Sequence, residues 1–173
     1  MTGSCERILS GHESHVNCLL PGQLLASGSK DTTIRLWDAA TGRCRHTLEG
    51  HKEGVNCLAR TTNFLASASD DLTIRLWDPD KQRLHIKILR CEAATWSMVW
   101  LNEAKLLACG SADHTIRLWD PSKGECMNTL EGHTGGVCSL MWIRSLQLLA
   151  SGSDDKEIRL WPQSEIVNNE HSR

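Results

Sequence analysis

The sequence predicts an all-β protein built from four copies of one antiparallel sheet. Three observations carry that reading. The hexamer TIRLWD stands at Thr33–Asp38, Thr73–Asp78 and Thr115–Asp120, and returns as EIRLWP at Glu157–Pro162. Its isoleucines, Ile34, Ile74, Ile116 and Ile158, are spaced 40, 42 and 42 residues apart. A second marker, Gly-His, runs in step at Gly11-His12, Gly50-His51 and Gly132-His133, with Arg90-Cys91 in that place in the third unit. Two markers in fixed register over four copies define a repeat, which must be read before any single motif.

Each element of the unit follows from local chemistry. VNCLL (Val16–Leu20) is a short apolar run of strand length. LLASGS (Leu24–Ser29) follows, with small residues that let sheets approach closely. KDT (Lys30–Thr32) is a turn, because an Asp side chain bonds its own nearby backbone. TIRLWD alternates and is rich in β-formers. CRHTLEGH (Cys44–His51) is a fourth, more polar run. Four short strands in about 40 residues leave hairpin loops of two to five residues and no room for crossovers, so each unit is antiparallel.

Composition narrows the function. Hydrophobic content of 40% is enough for a packed core, and the aromatic bias (seven Trp, one Phe, no Tyr) comes largely from the repeated hexamer. A net charge of −2 removes the broad positive field that nucleic-acid binding uses. No apolar run approaches the ~18 residues of a membrane span, and MTGSCERILSGH has no signal-peptide core. A soluble, cytoplasmic chain is expected, with the nucleus as the alternative, and no nucleic-acid or membrane partner. The eight cysteines include no CxxC pair and several hold repeat slots: Cys18 and Cys57 in one, Cys5, Cys44 and Cys126 in another. They read as small buried hydrophobes in a reducing compartment, not as disulfides or metal ligands. Neither a metal nor a cofactor is expected.

At this point the chain resembles the WD40 repeat family. The matching stretches are GH…LLASGSKDTTIRLWD at 11–38, GH…FLASASDDLTIRLWD at 50–78, LLACGSADHTIRLWD at 106–120 and GH…LLASGSDDKEIRLW at 132–161, roughly nine tenths of the chain. The resemblance implies a β-propeller, one four-stranded blade per unit around a channel. It also implies a hydrogen-bonded tetrad inside each blade. These would be His12, Ser27, Asp31 and Trp37 in the first; His51, Ser67, Asp71 and Trp77 in the second; and His133, Ser151, Asp155 and Trp161 in the fourth. Whether Ser27 or Ser29 joins the first, and its equivalents the others, is left open by spacing. A Ser/His/Asp hydrolase is the competing reading. Repetition speaks against it, since an enzyme needs one active site and a scaffold needs a fastening in every blade.

The third unit departs from the pattern. Cys91 and Cys109 replace His and Ser, while Asp113 and Trp119 remain. Asp113 then needs water or another donor, or is less buried. This blade is expected to be the least rigid, or to have a top loop put to another use. Two extra tryptophans, Trp96 and Trp100, read as core filling or, if they face outward, as an interface anchor. Arg35, Arg75, Arg117 and Arg159 are expected to pair with neighbouring acids.

Domain organisation reads as an N-terminal tail over 1–4, repeats over 5–161 and a polar tail over 162–173. CERILSGH (Cys5–His12) aligns with the fourth-strand runs, so the N-terminal strand is expected to complete the last blade as a latch. Pro162 ends the third strand of the last unit; if Ser164–Val167 supplied that blade's own fourth strand, the latch would fail. Four blades in one circle would splay at about 90°, so two chains pairing as an eight-bladed ring, a homodimer, are preferred. A closed four-bladed monomer and a piece of a longer propeller are the alternatives. The function implied is non-catalytic: a protein–protein interaction scaffold that binds a peptide or protein domain on its top face. A unit that assembles only with itself is the other possibility. The residues that vary on the constant frame, Glu13, His15, Lys30, Lys52, Asp70, Ala112 and Asp154, are the candidate partner-binding set, with a modestly basic peptide as guest.

Overall fold

The computed structural model describes residues 3–78 and 85–167. They fold as four consecutive antiparallel sheets. The first holds β1 (Val16–Leu20), β2 (Leu25–Ser29), β3 (Ile34–Asp38) and β4 (Arg43–Leu48). The second holds β5 (Val55–Arg60), β6 (Leu65–Ser69), β7 (Thr73–Trp77) and β8 (His85–Arg90). The third holds β9 (Thr95–Leu101), β10 (Leu106–Ser111), β11 (Ile116–Asp120) and β12 (Glu125–Leu130). The fourth holds β13 (Val137–Ile143), β14 (Leu148–Ser153) and β15 (Ile158–Pro162), and the chain continues into a short helix, α1 (Gln163–Val167). Strand order within each sheet follows the chain, and the first strands β1, β5, β9 and β13 lie side by side along the inner edge of the arc.

The register repeats from blade to blade. Ile34 faces Leu48, Ile74 faces Leu89, and Ile116 faces Leu130 across the third and fourth strands. A bulge interrupts the fourth pairing beside each hexamer tryptophan, at Leu36/Trp37, Leu76/Trp77 and Leu118/Trp119. A second bulge falls at the start of every first strand, leaving Asn17, Asn56, Trp96 and Cys138 without a partner opposite. An unpaired bulge residue has its side chain re-aimed.

At two junctions blades stack by placing a first-strand valine on a second-strand glycine of the preceding blade; between blades two and three Thr95 and Ala68 hold those positions. A Cβ on Gly28 would lie 2.6 Å from Val55 Cγ1, and one on Gly110 would lie 2.7 Å from Val137 Cγ1. That approach seals the hexamer residues: Ile34, Ile74 and Ile116 are 0% exposed. The same slot in blade four is open. Ile158 is 79% exposed and Leu160 55%, and a Cβ on Gly152 would meet only Ser139, at 3.8 Å. At the other end Val16 is 51% exposed where Val55 and Val137 are buried. The described residues therefore form an open arc with two uncovered ends, not a closed four-bladed circle.

Within one chain the N-terminal segment does not complete blade four: residues 3–10 carry no strand, Ile8 is 80% exposed, and blade four has three strands among the described residues. The reason is reach, since the edge it would extend, β15, lies at the far end of the arc from β1. The segment after Pro162 is neither a strand nor wholly a solvated tail. Its Ile166 is 2% exposed, packed with Leu101, Leu106 and Leu130, and Asn128 Nδ2 donates to the Glu165 carbonyl at 2.7 Å. One isoleucine suffices to dock the helix on blade three. Residues 1–2 and 168–173 of the expected tails lie outside the described residues.

Candidate functional site: the blade tetrads and the rim above them

Each blade brings its loop between sheets and its second hairpin turn to one edge, which forms a common rim. The backbone N–H of Lys30 donates to the His15 carbonyl at 2.8 Å, and the N–H of Asp70 to Gly54 at 3.0 Å. Ala112 donates to Ala94 at 2.9 Å and Asp154 to Gly136 at 3.0 Å. The turns hold Thr32, Leu72, His114 and Lys156 at φ between 61° and 75°. That left-handed backbone is costly for residues with a side chain and is held by the turn aspartate, whose carboxylate accepts from the N–H two residues on. Nothing in the sequence pattern announced this strain, because the four positions share no residue type.

Below the rim lie the tetrads. In blade two, His51 Nδ1 is 2.9 Å from Asp71 Oδ2, His51 Nε2 is 2.7 Å from Ser67 Oγ, and Trp77 Nε1 donates to the same Oγ at 2.8 Å. Blade one repeats this with His12, Asp31, Ser27 and Trp37 at 2.7, 2.7 and 2.8 Å. Blade four has His133, Asp155, Ser151 and Trp161 at 2.7, 2.7 and 2.9 Å. The serine left open by spacing is settled: Ser27, Ser67 and Ser151 join the network. Ser29, Ser69 and Ser153 instead donate to the carbonyls of Ser14, Glu53 and Gly135.

Hydrogen bonding fixes both ends of the chain. The indole can only donate, so the serine oxygen accepts from it, and the carboxylate can only accept, so His Nδ1 donates to it. Between them the serine hydroxyl meets His Nε2. Burial would raise Asp71, but donation from Thr73, the Lys52 N–H and His51 outweighs it and lowers the carboxyl to about 2. Asp31 and Asp155 are lowered by the same kind of network against the same burial. Chemically the arrangement opposes hydrolysis. Ser67 is 0% exposed and its oxygen is already used by an indole, so no carbonyl can approach it.

Blade three has rebuilt its fastening. In the other blades the hexamer arginine lies against the glycine of Gly-His; a Cβ on Gly11, Gly50 or Gly132 would meet the Nη1 of Arg35, Arg75 or Arg159 within 2.8 Å. Arg90 fills the glycine position in blade three, so Arg117 turns away. Its Nη1 reaches Asp113 Oδ2 at 2.7 Å and its Nη2 reaches Glu92 Oε2 at 2.8 Å. Asp113 thus has the other donor that its missing histidine required, and this hydrogen bond lowers its carboxyl against the effect of burial. Trp119, 7% exposed, is left with an indole N–H that has no acceptor, since Cys109 has replaced the serine. Of the other arginines, Arg159 pairs with Glu157 at 2.9 Å, while Arg35 lies 6.0 Å from the Trp37 ring centroid.

The cysteine reading needs correcting. Cys57 and Cys109 are buried, and burial pushes both thiols well above their usual range. Cys18 and Cys91 are half-buried, the former raised by burial to about 11. Cys5, Cys44 and Cys126, expected inside, are exposed: Cys44 and Cys126 lie on the outer strands β4 and β12, and Cys5 lies on no strand. Cys138 is also exposed. Among the described residues no cluster of His, Cys, Asp and Glu could hold a metal ion, and no helix is long and apolar enough to cross a membrane.

Comparison with known proteins agrees with this geometry. The family model described as WD domain, G-beta repeat matches residues 3–38, 42–78, 85–120 and 124–162. The chain belongs to the WD40 family. Among solved structures it is similar to the computationally designed Ika4 protein, at 26% identity and a TM-score of 0.79, over 93% of this chain and 99% of that one. No curated protein matches it. The matched segments begin before each Gly-His or its equivalent and end on the hexamer, so the WD40 repeat is offset from the structural blade by one strand.

Two outcomes follow from the tetrads. Ser67→Ala strands His51 Nε2 and the Trp77 N–H together, and should lower unfolding stability by ~1–3 kcal/mol in urea titration. A full-strength fold with an abolished turnover would instead revive the hydrolase reading. Acid provides the second outcome. A carboxyl held lower in the folded than in the unfolded chain stabilises above the unfolded value of about 3.9, and that contribution is lost as pH falls through the folded one. Melting temperature should therefore drop between about pH 4 and the Asp71 value of about 2. Asp71→Asn should flatten part of that slope, and an identical slope in the variant would contradict the assignment.

Proposed function

We propose that this WD40 chain is a non-catalytic scaffold that works as a two-chain, eight-bladed ring and presents its rim to a peptide or protein domain. The observation that carries the ring is the mismatch of the two ends. Ile158 and Leu160 are open at one, Val16 and Leu19 at the other, and their equivalents inside the arc are sealed by stacking. Each end has the shape of the partner that the other lacks. One copy's Val16 would cover the second copy's Gly152, as Val55 covers Gly28. Two such head-to-tail contacts close a ring by a two-fold axis. Fully burying each Ile or Leu contributes ~1.5–3 kcal/mol.

The N-terminal segment fits the same assembly. It cannot reach its own blade four, but in the ring it borders the partner's. The registers of Ile34 with Leu48 and of Ile116 with Leu130 would set Leu9 opposite Ile158 and Ile8 opposite Arg159. That adds the fourth strand to a three-stranded blade and buries Leu9, as the equivalent Leu48 and Leu130 are buried inside the arc.

The scaffold reading is supported by where the chain varies. Glu13, His15, Lys30, Lys52, Asp70, Ala112 and Asp154 all stand on the rim, on loops fixed by the same four backbone hydrogen bonds. All but Ala112 are exposed. Below them the serine oxygens are occupied, so the constant residues hold the frame while the variable ones face a partner. The mixed signs of the set suit a peptide guest better than nucleic acid. Free thiols suit a reducing cytoplasm.

Light scattering should give twice the mass of one chain, 19.3 kDa. Gly152→Val should convert the dimer to a monomer, because the branched side chain stands where the partner's Val16 would pack. Gly28→Val, inside the arc, should instead lower the melting temperature of the chain itself. A wild-type mass of one chain, or a dimer indifferent to Gly152→Val, would overturn the ring. A ring that captures no peptide would leave only a self-assembling unit.

A further inference from the structure

The scaffold reading leaves open what the rim recognises, and blade three breaks its pattern in a way that bears on this. Every first-strand bulge aims one residue at the rim: Asn17, Asn56, Trp96 and Cys138. In blades two and four that residue serves the turn beside it. Asn56 Nδ2 donates to Asp70 Oδ1 at 2.7 Å, and Cys138 Sγ donates to Asp154 Oδ1 at 3.2 Å. Blade three has exchanged both members at once. Ala112 takes the place of the aspartate and has no acceptor, and Trp96 takes the place of the donor.

The exchange leaves Trp96 partly in solvent. It is 37% exposed, whereas Met98 and Leu101 of the same strand are buried and Val99 and Trp100 half-buried. Its ring lies against Gly136 of blade four, where an added Cβ would be 2.3 Å from the indole Cζ3. Gly136 in turn accepts the backbone N–H of Asp154 at 3.0 Å. The indole is thus one residue from a carboxylate that is exposed and bonded to protein through Oδ1. Asp70 adds a second exposed acid on the opposite neighbour, and the hexamer arginine of blade three, Arg117, is committed to Asp113 and Glu92.

We propose that Trp96 and Asp154 form an anchor for one cationic side chain, arginine or lysine, of the peptide that the scaffold binds. The inference rests on the scaffold reading. An exposed π-face attracts a cation by its quadrupole, and a carboxylate beside it supplies the hydrogen-bond acceptor. Gly136 is required because any side chain there would push the ring aside.

Phage-displayed random dodecapeptides panned on the purified chain test this. Enriched peptides should share one Arg or Lys at a fixed position. Their affinity should fall about tenfold with Trp96→Ala or Asp154→Asn and survive Trp96→Phe, which keeps an aromatic face and reports that the fold is intact. Peptides that bind the rim without a fixed basic residue, or that ignore both variants, would overturn the anchor and leave the scaffold standing. Failure to enrich any peptide would remove both.

Discussion

The structure depends on one contact, the start of a first strand resting on a small second-strand residue of the blade before it: valine on glycine at two junctions, Thr95 and Ala68 in the same slots between blades two and three. A single twisted sheet of three or four short strands has an apolar face that water does not tolerate, and only another sheet at close range covers it. Glycine sets the range: Gly28 and Gly110 admit Val55 and Val137 to distances that a methyl group would block. Everything apolar in the hexamer then falls out of solvent. Where the contact is missing, at Gly152, the same Ile and Leu are left in water. The fold is therefore quasi-one-dimensional, and its ends are its reactive parts.

Polar side chains fasten each blade internally, and they do so at the edge where the variable loops begin. This placement connects stability to function. The aspartate that accepts from histidine also accepts from the turn's N–H, so the tetrad and the left-handed turn residue support each other. Blade three shows how far the device can be altered. Losing Gly and His together let Arg117 move from the indole to the carboxylate, which keeps the turn but abandons the Trp119 N–H. That blade is also the one whose bulge carries a tryptophan to the surface.

Much of this was legible in the sequence, because repetition converts weak local signals into strong ones. The hexamer and Gly-His gave strand order and blade number, and the resemblance to the WD40 family implied three tetrads, with the serine of each left open. The Arg90-Cys91 departure pointed to the altered blade before any coordinate. What could not be read was everything set by distance along the arc. Cys5–His12 shares its Cys, Leu, Gly and His with the fourth-strand runs, yet pairing is decided by where β15 lies, not by propensity. Ile166 and Val167 are the two apolar residues of a polar run, too little to announce a docked helix. Cys44 and Cys126 were misplaced because their slot lies on an outer strand. Arg117 was expected to find an acid, but its route required knowing that Arg90 blocks the usual one.

The central claim is that the open ends of the arc are complementary surfaces that cover each other when two chains meet. Hydrogen–deuterium exchange across a dilution series tests it most directly, read at the backbone amides of Ile158–Trp161 and of residues 6–10. The account predicts that both segments are protected at high concentration and lose protection together on dilution, while β6 and β10 in the middle of the arc stay unchanged. Exchange at β15 and at the N-terminal segment that is equally fast at every concentration would contradict it.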